Sequence, residues 1–359
     1  MFYLFIAIFS AFFASLSERI SFKTAGYSCR SLTVEKIFLF ISFLFLFVPA
    51  AIRYGIGQDY FYTYHPLFGY IIRNEESIYT GDLIGYNEIG FNYLNKIIGC
   101  FTNDPQWLFV VTSFICLYVA YKCIYDYSPN RCFSAFFLVL GSYYLGSYSL
   151  VRQSIAIVIF LYAIRYVVLR HPLKYFGLIS LAITIHSASI IYIPFYFIGN
   201  IQWKKEKYIK ILLMLFCVLN VSYPVVKKIV SLTRFANRIN GNGQIHIILS
   251  LVVIAVFLFA LWGYREECDD SLYRVFLNVH FVSVCLIGLS KYLDTIDRII
   301  WSYYYINFIS IPYFMCKSDW GRSKTTIICL LLFLMIVLWI YEHLYYDQFK
   351  IFPYATIFG

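Results

Sequence analysis

Thr325-Thr-Ile-Ile-Cys-Leu-Leu-Leu-Phe-Leu-Met-Ile-Val-Leu-Trp-Ile340 runs without a charged side chain, and its hydrophobicity is continuous rather than alternating. A membrane-crossing helix needs about 20 predominantly apolar residues, within a range near 17–25. Backbone groups in lipid must be satisfied internally, which leaves helices or closed barrels. A barrel strand alternates in and out, so this unbroken run selects a helix, predicted over 325–345. Comparable runs recur near 2–17, 37–52, 106–124, 133–150, 153–169, 208–224, 245–263, 273–290 and 299–316.

The composition fits. Of 359 residues, 61% are hydrophobic and only 13% charged, with mean hydropathy +0.71. A soluble domain carries about a quarter charged residues, so lipid must be the solvent for most of this surface. The reading is an all-α, polytopic integral membrane helical bundle of roughly 10–12 transmembrane helices, one domain over 1–359. The N-terminal run lacks a basic leader and a clear cleavage site, so it reads as a retained helix. The ten cysteines are scattered, and Cys116, Cys217, Cys285 and Cys329 within apolar runs read as small packing residues.

A net charge of +10 would suggest nucleic acid in a soluble protein; here excess Lys and Arg belongs to cytoplasmic loops, and no nucleic-acid partner is expected. Arg19, Lys23, Arg30 and Lys36 place the first loop inside and the N-terminus outside. Lys122, Arg131, Arg165, Arg170, Arg265, Lys317, Arg322 and Lys324 then also fall inside, and the C-terminus outside. The apolar segment 174–199 has basic residues at both ends and a break at His186-Ser187, which predicts two short helices meeting at an outward tip.

Two features exceed a plain bundle. The outward loop 53–105 is far longer than a usual helix connection and holds an amphipathic stretch around 88–101. Basic residues also fall on the outer side against the charge bias: Arg53, Arg73, Arg152, Lys227, Lys228, Arg234, Arg238, Lys291 and Arg298.

Several outward segments carry candidate chemistry. In Arg53-Tyr-Gly-Ile-Gly-Gln-Asp59, the glycines Gly55 and Gly57 permit tight turns and close ligand approach. Arg53 offers a planar fork for phosphate. Asp59 is an acceptor and a candidate base, and the aromatics through Tyr64 suit sugar stacking or the membrane interface. The plain alternative is an interfacial turn with a snorkelling arginine. Glu88 offers a second carboxylate, or merely a favourable charge at a helix start. Arg152-Gln153 opens an apolar run as a phosphate clamp or as an ordinary polar helix end. His186 lies within an apolar segment, where an ionisable group is a functional candidate by default; a packed neutral histidine is its rival. Arg298 and Tyr305, seven apart, are predicted on one helical face. Arg234 and Arg238 in loop 225–244 could form a basic outer gate, or equally belong to an inner loop.

Taken in order, Arg53–Gly55–Gly57–Asp59–Tyr64, Glu88–Gly90–Phe91, Arg152–Gln153 with Ala156 and Tyr162, His186-Ser187-Ala188 and Arg298…Tyr305 resemble the EpsG family. That family is a branch of the O-antigen and exopolysaccharide polymerases of Wzy type. Loop 225–244 departs from the pattern. The resemblance implies a metal-independent membrane glycosyltransferase without a cofactor, acting at the outer face of the bacterial cytoplasmic membrane. It would join oligosaccharide repeat units carried on undecaprenyl diphosphate, with membrane lipid around it and a flippase and chain-length regulator as candidate partners. On that reading Asp59, Glu88, Arg152, His186 and Arg298 are catalytic candidates. Arg53, Gly55, Gly57, Tyr64, Gln153, Tyr305, Arg234 and Arg238 are substrate-binding candidates. A lipid-oligosaccharide flippase is the rival of a different class.

Overall fold

A computed structural model describes residues 2–23, 29–73, 88–230, 247–267, 270–289, 296–318, 320–347 and 349–359. Loop positions Arg234, Arg238, Lys291 and Asp294 lie outside the described residues. The described residues form helices without a β-strand, and one isolated antiparallel bridge joins Arg53 to Thr356.

Helices α1 (Phe2–Lys23) and α2 (Cys29–Ile52) pack as an antiparallel pair, stitched midway where Ser10 and Ser42 meet at 3.0 Å. The long loop then folds upon itself. A π-helical turn (Tyr60–Tyr64) enters α3 (His65–Arg73), and α4 (Ile89–Gly99) realises the expected amphipathic stretch by burying Phe91, Asn95 and Ile98. The bundle continues with α5 (Gln106–Tyr127), α6 (Arg131–Leu140), α7 (Tyr143–Ser149) and α8 (Val151–Val168). Next come α9 (Pro172–Ile185), a 3-10 segment (Ser187–Tyr192), α10 (Phe195–Gly199), α11 (Lys205–Val230), α12 (Ile247–Gly263) and α13 (Ser271–Ile287). The chain closes with α14 (Ile296–Tyr304), α15 (Asn307–Lys317), α16 (Lys324–Ile340) and a π-helical turn (Tyr341–Tyr345). Among the described residues, six stretches are each long and apolar enough to cross a membrane: Phe2–Ile20, Thr33–Ile52, Gln106–Tyr127, Val151–Val168, Lys205–Val225 and Gly321–Tyr345. The protein is a polytopic helical membrane protein.

Two expected single spans are broken. The run 133–150 divides at Gly141-Ser142, where Ser142 takes a left-handed backbone with φ 65°. The run 299–316 divides between α14 and α15 at Tyr305-Ile306. The two breaks meet: Asn307 Nδ2 donates to the Gly141 carbonyl at 3.2 Å, and its Oδ1 occupies the space a Gly141 Cβ would need. Interrupted backbone is tolerated at membrane depth when protein satisfies it, and only the facing chain reveals that partner.

The segment 174–199 forms the expected hairpin. Pro172 starts α9 at a position where its missing N–H costs nothing. At His186 the backbone turns extended, and the 3-10 segment and α10 lead back. Helix α8 runs through the protein interior between α5, α9, α13 and α14, whereas α11 exposes Leu213, Phe216 and Val221.

The two ends of the bundle differ. At one end Arg131 pairs with Glu35 at 2.6 Å, Arg165 pairs with Asp126 at 2.6 Å, and the Lys205 amide donates to Glu266 at 2.8 Å. At the other end both chain termini meet, Phe2 stacking on Tyr354 at 4.2 Å. The C-terminal segment straps the glycine loop there. Gly57 N–H donates to Lys350 O and Gln58 N–H to Phe349 O, both at 3.1 Å, and Tyr54 N–H donates to Ala355 O. Ser149 pins both sides, accepting from Gln58 N–H and donating to Phe349 O, each at 2.9 Å.

Candidate functional site

The end of the bundle that holds both termini also gathers several of the polar residues predicted on the outer side. Its centre is Glu88, which precedes α4 and is buried. Glu88 Oε2 lies 2.9 Å from Arg152 Nη1. Its Oε1 accepts from the Ser187 N–H at 2.9 Å and lies 3.0 Å from His186 Nδ1. Three elements far apart in sequence thus close on one carboxylate: the start of α4, the start of α8 and the tip of the α9 hairpin. Gly90 makes this possible, because a Cβ there would collide with Thr184 on α9.

The protonation pattern follows from these contacts. Burial pushes the Glu88 carboxyl up, but the His186 hydrogen bond, the Arg152 charge and the Ser187 N–H together hold it below its ordinary value of 4.5. An ionised carboxylate only accepts, so His186 Nδ1 donates to Glu88 in this pair.

Arg152 is fixed from its other sides by aromatic rings, 5.6 Å from the Tyr64 centroid and 5.7 Å from that of Phe91. Burial raises the Tyr64 hydroxyl above its ordinary value, so it stays neutral beside the guanidinium. Gln153 reaches across to α14, donating to Arg298 O at 2.6 Å and Ser302 Oγ at 2.9 Å. That bond sets the start of α14 and hence the exposed Arg298 side chain.

Asp59 is half-buried at the head of the π-helical turn, and its side chain makes no capping hydrogen bond there. Burial raises its carboxyl above the ordinary value of 3.8, opposed by the nearby charges of Arg298 and Arg152. The carboxyl therefore sits within electrostatic reach of both arginines without being consumed by either. The combined arrangement is two guanidinium groups, one ionised carboxylate bracing an imidazole, and one carboxyl with elevated proton affinity. Such a set can hold a phosphate ester and accept a proton from a hydroxyl.

Two sequence-derived candidates stand elsewhere. Arg53 is 1% exposed, stacked 4.3 Å from the Tyr148 ring, with Nη1 donating to Ala50 O and Ser113 Oγ at 2.7 and 2.8 Å. Its guanidinium ties the end of α2 to α5 and faces no ligand, because an arginine directly after a helix can turn back into the bundle as readily as outward. Tyr305 is buried against Trp301, with its hydroxyl packed near Gly146, while Arg298 is exposed. Their sevenfold spacing fails because α14 ends at Tyr304. Gly55 and Gly57 do take left-handed conformations, φ 65° and 110°, and a Cβ on Gly57 would strike the Tyr148 carbonyl. They shape the loop that presents Asp59.

Sequence reading missed the strap of residues 349–357. Its contacts to the loop are backbone carbonyls, which no side-chain pattern encodes. Ser149, the pin between them, is an ordinary serine in an aromatic run.

A family model described as the EpsG family matches residues 36–356, nearly the whole chain. No curated protein and no solved structure matches.

Proposed function

The chain belongs to the EpsG family, and on that premise we propose that it polymerises lipid-linked oligosaccharide repeat units into a surface polysaccharide at the outer face of the bacterial cytoplasmic membrane. The observation that carries this reading is the convergence of Asp59, Glu88, Arg152, His186 and Arg298 at one end of a lipid-embedded bundle. A glycosyl diphosphate on a prenyl lipid presents its phosphates at the membrane surface.

In the proposed reaction a sugar hydroxyl of the next unit attacks the anomeric carbon of the growing chain. The bond from that carbon to the diphosphate oxygen breaks, and the hydroxyl proton passes to a base. Arg298 and Arg152 stabilise the charge that develops on the departing diphosphate. Asp59 is the first choice for base, since its proton affinity is raised while Glu88 is held ionised by its donors. His186 Nε2 is the second choice. Glu88 positions Arg152 and His186, and Gln153 positions α14.

The test uses purified protein and lipid-linked repeat units supplied on the active side. Wild type should give a ladder of chain lengths. Arg152→Lys and Arg152→Ala should give none while still inserting into membranes. A normal ladder from either variant would remove Arg152 from the site. No ladder from wild type, with movement of substrate across vesicles, would favour a flippase instead.

A further inference from the structure

A second polar cluster is buried where the two broken helices meet the end of α16. Glu342, 2% exposed, accepts from Ser142 Oγ at 2.9 Å through Oε2. Ser142 Oγ also meets His343 Nε2 at 3.0 Å. Ser142 is sealed from solvent, and its carboxylate partner contacts the serine rather than the imidazole, so this is no nucleophilic relay.

What the cluster lacks is a countercharge. The charged group that acts on Glu342 is Asp297, of the same sign, and no salt bridge to Glu342 is found among the described residues. An unpaired carboxylate in so apolar a site is costly unless a proton or cation neutralises it. The Tyr304 and Tyr305 hydroxyls and Asn307 Oδ1 are buried oxygens without hydrogen-bond partners. The Tyr304 and Tyr305 hydroxyls both lie within electrostatic reach of the carboxylate, and Asn307 is tied to Gly141, next to Ser142. Two interrupted helices, α6/α7 and α14/α15, present backbone ends at the same point. Unwound helix ends with neutral oxygens and a single carboxylate make an alkali-cation site in a membrane interior.

We propose that Glu342, Ser142, Tyr305 and Asn307 hold one monovalent alkali cation that pins the two helix breaks together. One carboxylate balances one positive charge, which argues for a monovalent rather than a divalent ion. The cation is structural, set behind α14, and takes no part in sugar transfer.

The test needs no substrate, so its failure leaves the polymerase reading untouched. Thermal unfolding of the purified full-length protein is compared in sodium, potassium and N-methylglucamine chloride at equal ionic strength. Sodium or potassium should raise the apparent Tm by roughly 4 °C in a saturable way over N-methylglucamine. Glu342→Gln should abolish that increment, and Asn307→Ala should weaken the apparent affinity. Equal melting of wild type in all three salts would overturn the proposal and leave a protonated acid there. An increment retained in Glu342→Gln would place the cation elsewhere. The wild-type comparison stands even where a variant fails to fold.

Discussion

Asp59 and Glu88 are both carboxylates at the same end of the molecule, yet their surroundings drive their proton affinities apart. Asp59 is raised by burial, so its base form is lost as pH falls through a value above 3.8. Transfer activity should therefore decline on the acid side at a higher pH than a solvated aspartate would give. Asp59→Asn should lower the rate roughly 10²–10⁴-fold and remove that limb, read by chain-length ladders across pH. Retention of the acid limb in Asp59→Asn would pass the role to His186. Glu88 has the opposite sign. Its folded-state value is depressed, so its contribution to stability is complete above the ordinary 4.5 and fades as pH falls through the lower folded value. Glu88→Gln breaks a buried pair and should cost about 3–5 kcal/mol at neutral pH, measured by denaturation in detergent. Both residues were visible as polar letters in segments predicted to face outward. Which one is spoken for depends on Arg152, His186 and Ser187, which no local pattern joins to Glu88.

At the scale of elements, the site is an agreement among helix ends. Helix α4 delivers Glu88, α8 delivers Arg152, and the α9 hairpin delivers His186. The hairpin was legible because a polar pair interrupts an apolar run flanked by basic residues. The contact of α4 with α9 was not, since Gly90 looks like any helix glycine until Thr184 is placed against it. Gly90→Ala should wedge the two helices apart at a cost of about 1–3 kcal/mol and separate Glu88 from His186. Polymer yield should fall, and amide exchange at the start of α4 should quicken. Unchanged exchange would mean that the packing adapts without moving the carboxylate. The strap of residues 349–357 acts similarly on the loop before Asp59.

Over the whole molecule, the ion pairs of Arg131 and Arg165 and the Lys205 amide bond to Glu266 mark one end, and the termini with the Glu88 cluster mark the other. Tyr62, 85% exposed, and Leu173, 88% exposed, stand on these opposite ends. In a cysteine-free background, Tyr62→Cys should react with an impermeant thiol reagent from outside the cell. Leu173→Cys should react only after the membrane is opened. The reverse pattern would put the candidate site on the cytoplasmic side and end the proposed role with externally presented lipid carriers.

The sequence by itself determined the solvent, the helical class and the polar letters that had to be explained. Continuous hydrophobicity and scarce charge leave the backbone no alternative in lipid, and that constraint is local. Tertiary structure alone decided which arginine is spent inside the bundle and which joins the Glu88 cluster. Arg53 and Arg152 read alike, but the first is spent on Tyr148, Ala50 and Ser113 and the second is held by Glu88 beside Asp59. The helix breaks at Ser142 and Tyr305 also needed the fold, because the Gly141 carbonyl at the first is satisfied by Asn307 beside the second. A charge's partner lies across the bundle, and sequence distance carries no record of it.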